Sequence, residues 1–302
     1  MSPDPVREGS TLRPVTRPRP GHVDLAGALK YQTHDARDVL ERASARETAA
    51  RVAVGSFCRL LLRHFNVRIG SHVLAVGSEH VPPPLEGIDG EAVLAIDPES
   101  PLHCADAKVE KAMIALIDRA ATEGDTLGGI AEVIAVSVPP GLGSHTQWDR
   151  KLDGLLAQAL MSIPAVKAVE LGVGVTGAQR WGSSVHDEIF YSAEQKRFFR
   201  KTNNAGGLEA GVTNGADVRA RVYVKPIPTL RKPLMSVDLK TKEASAASFE
   251  RSDTCVVPAA GAVAEAMLSI VLAQAFLEKF GGDSMTEIEA SFANYEKLLS
   301  QY

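Results

Sequence analysis

The spacing of hydrophobic and polar positions predicts a series of helices separated by short strands. Over residues 35–64, apolar side chains recur at helical spacing, which predicts one long helix; they are Val39, Leu40, Ala43, Ala50, Ala53, Phe57 and Leu61. Asp35 or Asp38 can cap or charge its first turn. The same spacing predicts further helices over 105–123, 147–162, 258–280 and 284–300.

Short apolar or alternating runs between these helices predict strands over 72–77, 129–138, 166–172 and 218–225. The last of them, VRARVYVK, alternates apolar and polar residues with the period of a strand. Helices and strands are mixed without a strict βαβ alternation. We therefore expect an α+β fold in which sheets and helices pack as layers.

Irregular structure is expected in four places. Residues 1–20 hold five prolines and little apolar surface, which is typical of an extended arm. Residues 78–104 contain PPP and predict a surface loop, and residues 173–216 are rich in loop-forming glycine. The stretch KPIPTLRKPL (225–234) is too rich in proline to be regular.

Composition and charge narrow the possible functions. The formal net charge of -4 does not favour nucleic acid or an anionic membrane as a partner. Three scattered cysteines without a CxxC suit a reducing cytoplasm, and the eight histidines lack ligand spacing, so we expect no metal site. No signal peptide is expected from the polar N-terminus. Glu265 interrupts the apolar segment 256–277, which favours a buried helix over a membrane span.

The stretch RPRPGHVDLAGALKY (17–31) places a histidine directly after a stiff, cationic track. Pro18 and Pro20 hold the chain extended, and Gly21 allows a sharp bend. Because imidazole exchanges protons near neutral pH, His22 is a candidate proton donor or acceptor. The alternative is an exposed histidine in an N-terminal arm, and this stretch alone leaves both open.

The helix predicted over 35–64 carries four arginines, Arg37, Arg42, Arg46 and Arg51. The spacing of Arg42 and Arg46 would stack them on one helix face. Guanidinium groups suit phosphate and carboxylate, and the small Ser44 and Ala45 between them would let a ligand approach. This face is a candidate anion site, and a solvated charged face is the alternative.

Other candidate site residues lie late in the chain. The loop KPIPTLRKP offers Lys225, Thr229, Arg231 and Lys232 as a cradle for a phosphate or a flat cofactor, or as a plain basic turn. The glycine-rich AGGLEAGVTNG (205–215) has no GxGxxG register and is not a Rossmann fingerprint. In ERSD (250–253), Arg251 and Asp253 are a candidate anion-binding and proton-relay couple, or an ordinary ion pair.

Together these stretches resemble one family. The motifs RPGHVDLAGALKY, DVLERASARETAARVAVG, EGDTLGG, PPGLGSH, WDRKLD, ALMSIPAVKAVELG, TNNAGGLEAGVTNG, KPIPTLRKPL and RSD…VPAAGAVAEAM…LEKFGGDS occur in the same order as in chorismate synthases, over about residues 16–284. The resemblance implies one chorismate synthase domain over 1–302, with residues 1–15 as an extended arm, and a chorismate-synthase-like β-α-β sandwich.

The resemblance also implies an activity. Chorismate synthases are lyases of the shikimate pathway that form chorismate by 1,4-anti elimination of phosphate from 5-enolpyruvylshikimate 3-phosphate. They require reduced FMN, are associated with NADP, and assemble as homotetramers. An external source of reduced flavin and a cytoplasmic location are expected, with no nucleic-acid or membrane partner.

Residue by residue, the resemblance assigns roles to the candidates. His22 and Asp253 match catalytic residues: the histidine beside the flavin, and the carboxylate that handles the proton at flavin N5. The positions that match flavin contacts are Arg42, Ala43, Ser44, Pro164, Ala165, Ala210, Lys225, Pro226, Ile227, Pro228, Thr229 and Arg251. The positions that match substrate contacts are Arg19, Ala45, Arg46 and Arg251.

Several departures from the family pattern leave a second interpretation open. A GESHG-like motif and a QGGYGRGxR-like segment of the family do not occur, so we expect an N-terminally truncated member. The usual KPIST is KPIPT, which places Pro228 in the flavin loop, and GLEGG is GLEAG. The alternative is a degenerate paralogue that binds flavin or sister subunits without turnover.

Overall fold

The structure is a computed structural model that describes residues 14–82, 88–250 and 253–302. Its centre is an antiparallel sheet of five strands in the order β2-β1-β3-β9-β4. These strands are β1 (Arg68–Val76), β2 (Glu79–His80), β3 (Gly129–Val136), β4 (Val166–Leu171) and β9 (Val218–Val224). The register pairs Glu132 of β3 with Arg221 of β9, and Arg221 with Glu170 of β4. Mixed helices and sheets agree with the α+β class.

A layer of helices covers one face of this sheet. The long helix α8 (Val257–Phe280) packs on β1 and β3, with α3 (Thr48–His64) and α6 (Leu152–Met161) against it. Among the described residues, α8 is the one helix long and apolar enough to cross a membrane, yet 61% of its most apolar window is buried inside the protein. The prediction of a buried helix is confirmed, since Leu268, Leu272 and Phe276 of α8 are fully buried in the main core.

The remaining elements lie around this sheet and helix layer. The other helices are α1 (Asp24–Tyr31), α2 (Arg37–Arg42), α4 (Gly90–Leu94), α5 (Ala107–Glu123), α7 (Gly174–Gly177) and α9 (Met285–Gln301). Within the described ranges, three small antiparallel hairpins pair β5 (Ile189–Ser192) with β6 (Arg197–Arg200), β7 (Leu208–Glu209) with β8 (Val212–Thr213), and β10 (Met235–Val237) with β11 (Ala244–Ala246).

A row of charged side chains crosses the sheet on the face opposite α8. His72 Nε2 lies 3.1 Å from Glu132 Oε2, and Arg221 Nε donates to Glu132 Oε1 at 3.0 Å. Arg221 also reaches Glu170 at 3.4 Å, and Tyr223 donates to the same carboxylate. All of these side chains except Tyr223 are almost fully buried. Burial and the neighbouring Glu170 raise the pKa of Tyr223 to about 12.

The helix predicted over 35–64 is in fact broken at the arginine motif. Helix α2 ends at Arg42, a short 3-10 turn covers Ala45–Glu47, and α3 begins at Thr48. Ser44 adopts an extended conformation, with φ -62° and ψ 135°, and its side chain accepts from the Arg46 amide. Serine favours such capping positions because its hydroxyl competes for backbone groups. Arg42 and Arg46 therefore do not stack on one helix face.

The other expectations hold with local corrections. Helix α1 follows the proline track, where no helix was predicted, and β1 begins four residues before the predicted 72. The loop predicted over 78–104 includes β2 and α4, and the region 173–216 contains two of the hairpins. Residues 1–13 of the predicted arm lie outside the described residues. Val15 is not a free arm residue, because it is buried against Ala36 and Leu40.

Candidate active site

Arg19 connects the proline track to the basic loop near residue 229. Its side chain is only 7% exposed. Nε donates to Asp24 Oδ2 at 2.8 Å, Nη2 donates to Asp24 Oδ1 at 3.1 Å, and Nη1 donates to Thr229 Oγ1 at 2.9 Å. Thr229 is itself buried. Two stretches that are distant in the sequence therefore meet through a fully ligated guanidinium.

His22 belongs to the same cluster through Asp24. The His22 ring contacts Asp24 Oδ1 through Nδ1. Asp24 is completely buried, which works to raise its pKa, but the hydrogen bonds from His22 and Arg19 outweigh burial and hold the pKa of Asp24 well below its usual range. The carboxylate is therefore ionised and acts as an acceptor for both neighbours.

The turn before His22 rests directly on the loop. Gly21 adopts a φ of +80°, a left-handed conformation that glycine reaches without strain, and its carbonyl accepts from Lys225 Nζ. A side chain at position 21 would lie 3.4 Å from Pro228 Cβ. The bend allowed by glycine thus sets His22 beside residues 225–229.

The loop 225–229 is held at the end of β9 by two further segments. The Lys225 amide donates to Ala165 O at 2.9 Å, and Thr126 Oγ1 donates to Ile227 O at 2.7 Å. The Leu127 amide donates to Thr254 O at 2.9 Å, which places Asp253 near Thr126 and so near the loop. Pro164, Ala165, the loop and Asp253 are therefore neighbours around one end of the sheet.

A cavity of about 230 Å³ lies between the loop and Asp253. Its wall combines the hydroxyls of Thr126 and Thr229, the ring of Phe249, the guanidinium-bearing Arg231 and the exposed Asp253. Asp125 adds a second carboxyl group, so the wall is mainly polar and Phe249 supplies its large apolar surface. A cavity of this kind offers several hydrogen-bonding groups around one aromatic ring.

Unlike the buried Arg19, Arg42 and Arg46 at the break between α2 and α3 are exposed. Arg46 is 73% exposed, pairs with Glu41 at 3.0 Å, and donates from Nε to Ser44 Oγ at 2.9 Å. Arg42 is also exposed, as are Ala43 and Ala45. Arg51 Nη1 donates to Ser162 Oγ at 2.7 Å, which joins the start of α3 to the segment just before Pro164. The break is therefore linked through Arg51 to the segment that leads to Pro164, while Arg46 is held at the surface by Glu41 and Ser44.

One predicted flavin contact, Ala210, lies away from this cluster in the described part of the chain. Ala210 lies in the β7–β8 turn with a φ of +52°, and the adjacent Gly211 accepts from the Leu152 amide at 3.0 Å. The hairpin that carries this turn meets β9 at its first residue, since Gly207 lies against Val218, whereas Lys225 follows the last residue of the strand. Arg251, predicted to contact both flavin and substrate, lies outside the described residues.

Sequence reasoning missed Asp24, Thr126 and Phe249 as site residues. The signal for Asp24 was present, because a carboxylate two positions after a histidine in a stiff turn can reach its ring. Thr126 and Phe249 come from separate segments that only the fold brings to the loop. Among the described residues, no cluster of histidine, cysteine and carboxylate side chains could hold a metal ion.

The chain matches a known protein family. A family model described as chorismate synthase matches residues 7–277. The chain belongs to the chorismate synthase family. The resemblance drawn from the sequence motifs is thereby confirmed, and with it an enzyme of aromatic amino acid biosynthesis.

Individual members of the chorismate synthase family align over nearly the whole chain. A chorismate synthase of Solibacter usitatus is 54% identical over 294 residues, which are 97% of this chain and 75% of that protein. One from Carboxydothermus hydrogenoformans is 55% identical over 290 residues, covering 96% of this chain and 74% of the relative.

A solved chorismate synthase structure shares the fold. It superimposes with a TM-score of 0.80 at 43% sequence identity, over 93% of this chain and 77% of that chain. The predicted chorismate-synthase-like fold is therefore confirmed. The roles of individual site residues remain predictions.

Proposed function

We propose that the cluster of Arg19, His22, Lys225, Thr229 and Asp253 is the reaction centre of a chorismate synthase that uses reduced FMN. The reaction is the 1,4-anti elimination of phosphate from 5-enolpyruvylshikimate 3-phosphate, catalysed by a carbon–oxygen lyase. The observation that carries the proposal is the bond from Arg19 Nη1 to Thr229 Oγ1 at 2.9 Å. This bond joins a predicted substrate contact to the predicted flavin loop.

The residues present fit a flavin. The cavity between Thr229 and Asp253 combines the Phe249 ring with edge hydroxyls, which suits a flat ring with polar edges. The exposed guanidinium groups of Arg42 and Arg46 suit a phosphate or a carboxylate. When bound, reduced FMN supplies the electron donation that promotes loss of phosphate.

Residues of this chain bind the anionic groups, orient the loop and move protons. Arg42 and Arg46 bind the anionic groups, and as charged donors they stabilise the departing phosphate, each bond contributing about 1.5–3 kcal/mol. His22 holds or releases a proton at its ring, and Asp253 does so at its exposed carboxylate. Arg19 orients the loop, because its donors are already committed to Asp24 and Thr229.

The partners proposed for this site follow from the same family membership. We propose 5-enolpyruvylshikimate 3-phosphate as substrate, a homotetramer as the assembled form, and an external reductant, drawing on NADP chemistry, as the source of reduced flavin. A cytoplasmic location agrees with the partly or fully buried, unpaired thiols of Cys58, Cys104 and Cys255.

The test is an anaerobic assay of this chain with chemically reduced FMN and 5-enolpyruvylshikimate 3-phosphate. Chorismate and released phosphate are followed together, with a control that omits FMN. Stoichiometric release of both products, dependent on reduced FMN, is the expected result. Flavin binding without either product would overturn the proposal and favour the degenerate paralogue.

A further inference from the structure

We infer that Asp24 is a positioning residue for His22, which fixes the imidazole proton on Nδ1 and leaves Nε2 as the atom that exchanges protons. The link from this tautomer to turnover rests on the proposed function. The tautomer itself can be measured whether or not the chain turns over.

Each oxygen of the Asp24 carboxylate has two hydrogen-bonding partners. Asp24 Oδ2 accepts from the Arg19 side chain at 2.8 Å and from the Arg19 backbone amide at 3.1 Å. Asp24 Oδ1 accepts from Arg19 Nη2 at 3.1 Å and contacts His22 Nδ1. A completely buried carboxylate with these partners is held in one orientation.

The charge on Asp24 decides which ring nitrogen of His22 carries the proton. The hydrogen bonds that lower the pKa of Asp24 keep it ionised, and an ionised carboxylate can only accept. His22 Nδ1 must therefore donate. Arg19 Nη2 also lies 3.1 Å from Nδ1, but both groups are donors and share Asp24 Oδ1 as their acceptor.

The backbone adds rigidity to this arrangement. Asp24 is the first residue of α1, directly after the turn in which Gly21 rests on Lys225. Helix α1 packs closely on α2, since a methyl group at Gly27 would lie 2.3 Å from a Val39 methyl. The turn that carries His22 is therefore held between α1 and the loop, and general acid–base groups require such a fixed placement.

The direct test is ¹⁵N solid-state NMR of protein labelled in its histidine rings, at alkaline pH. The His22 signals are assigned by their absence from the spectrum of His22→Gln. The wild-type protein is expected to show a protonated Nδ1 and a bare Nε2. A proton on Nε2 of neutral His22 in the wild-type protein overturns the inference.

The variant Asp24→Asn sharpens the test. Its side-chain amide has an accepting oxygen and a donating NH₂ group. Because Arg19 is a charged donor, it donates to the oxygen, and the NH₂ group then faces His22 Nδ1. The proton of the ring is then expected to move to Nε2, with a loss in kcat of about 100-fold or more and little change in KM. An unchanged tautomer together with unchanged kcat contradicts the inference.

Asp35→Asn is the matched control. Asp35 carries the same charge in the same N-terminal segment, where it accepts from the Val15 and Arg37 amides at 2.9 Å. We expect this variant to keep the wild-type tautomer. If Asp24→Asn does not fold, the wild-type spectrum still decides the inference. If the wild-type chain shows no turnover, the proposed function fails while the spectrum still tests Asp24.

Discussion

Arg19 and Thr229 are 210 residues apart in the sequence, yet the arginine donates to the threonine hydroxyl at 2.9 Å in the protein interior. This bond, with the contact between Lys225 and the Gly21 carbonyl, docks the proline track on the loop that follows β9. The proposed site therefore depends on contacts that form only when the whole domain has folded.

Replacing Thr229 with valine tests this docking. Thr229→Val keeps the shape but removes the acceptor of a buried guanidinium, so we expect the free energy of unfolding to fall by about 1–3 kcal/mol. Turnover should also fall, because Arg19 loses its link to the loop. Urea unfolding and the anaerobic assay measure the two effects. Thr146→Val, at an exposed position, is the control and should change stability by less than about 0.5 kcal/mol. Equal effects of the two variants would contradict the docking role.

The contact between α3 and α8 predicts a steric effect at Gly55. A Cβ there would lie 2.5 Å from both Cα and Cβ of Ala266, so Gly55→Ala forces the helices apart. We expect a loss of about 1–3 kcal/mol in the free energy of unfolding. Gly154→Ala is the matched control, because the nearest atom to its added Cβ is 3.8 Å away. That variant should keep or slightly raise stability, and a loss as large as that of Gly55→Ala would show that crowding is not the cause.

Much of this helix layer is predictable from the sequence. The apolar spacing of residues 258–280 identifies the core helix, and alternation over 218–225 identifies β9, a strand of the sheet that this helix covers. The break after Arg42 is not predictable from spacing, because the apolar pattern continues while Ser44 leaves the helix to cap the next turn. Local hydrogen bonding overrides periodicity there.

The site is predictable only in part. Resemblance to the family points to His22 and the 225–229 loop, which the fold brings together. The position of Asp24 two residues after His22 is readable from the sequence, but its complete burial beside two donors is visible only in the fold. Ala210 shows the opposite case, since the fold sets it at the far end of β9 from Lys225.

The charged row across the sheet predicts a large effect at Glu132. This buried carboxylate accepts from Arg221 Nε at 3.0 Å and lies 3.1 Å from His72 Nε2. Glu132→Gln removes the charge but keeps the volume, leaving buried arginines without it, so we expect destabilisation by about 3–5 kcal/mol. Thermal or urea unfolding measures the change. Glu296→Gln, on the exposed side of α9, is the control. Equal stabilities of the two variants would show that the charged row across the sheet does not stabilise the fold.

The same carboxylate predicts how stability depends on pH. Burial works to raise the pKa of Glu132, but His72, Arg219 and Arg221 outweigh it and hold that pKa below its usual 4.5. A carboxylate with a lowered folded-state pKa stabilises the protein fully above its unfolded-state value and loses that contribution as the pH falls through the folded value. We therefore expect stability to decline as the pH falls below 4.5, with a shallower decline in Glu132→Gln. Asp24, whose pKa is also lowered, adds to the slope that remains. Identical slopes for the two proteins would exclude Glu132 as a contributor.

The most direct test of the central claim is a crystal structure of the chain with FMN bound. We predict electron density for the isoalloxazine ring beside His22 and the 225–229 loop, with Asp253 facing the ring edge. Flavin density at any site that contacts neither His22 nor Thr229 would contradict the assignment of this cluster as the reaction centre.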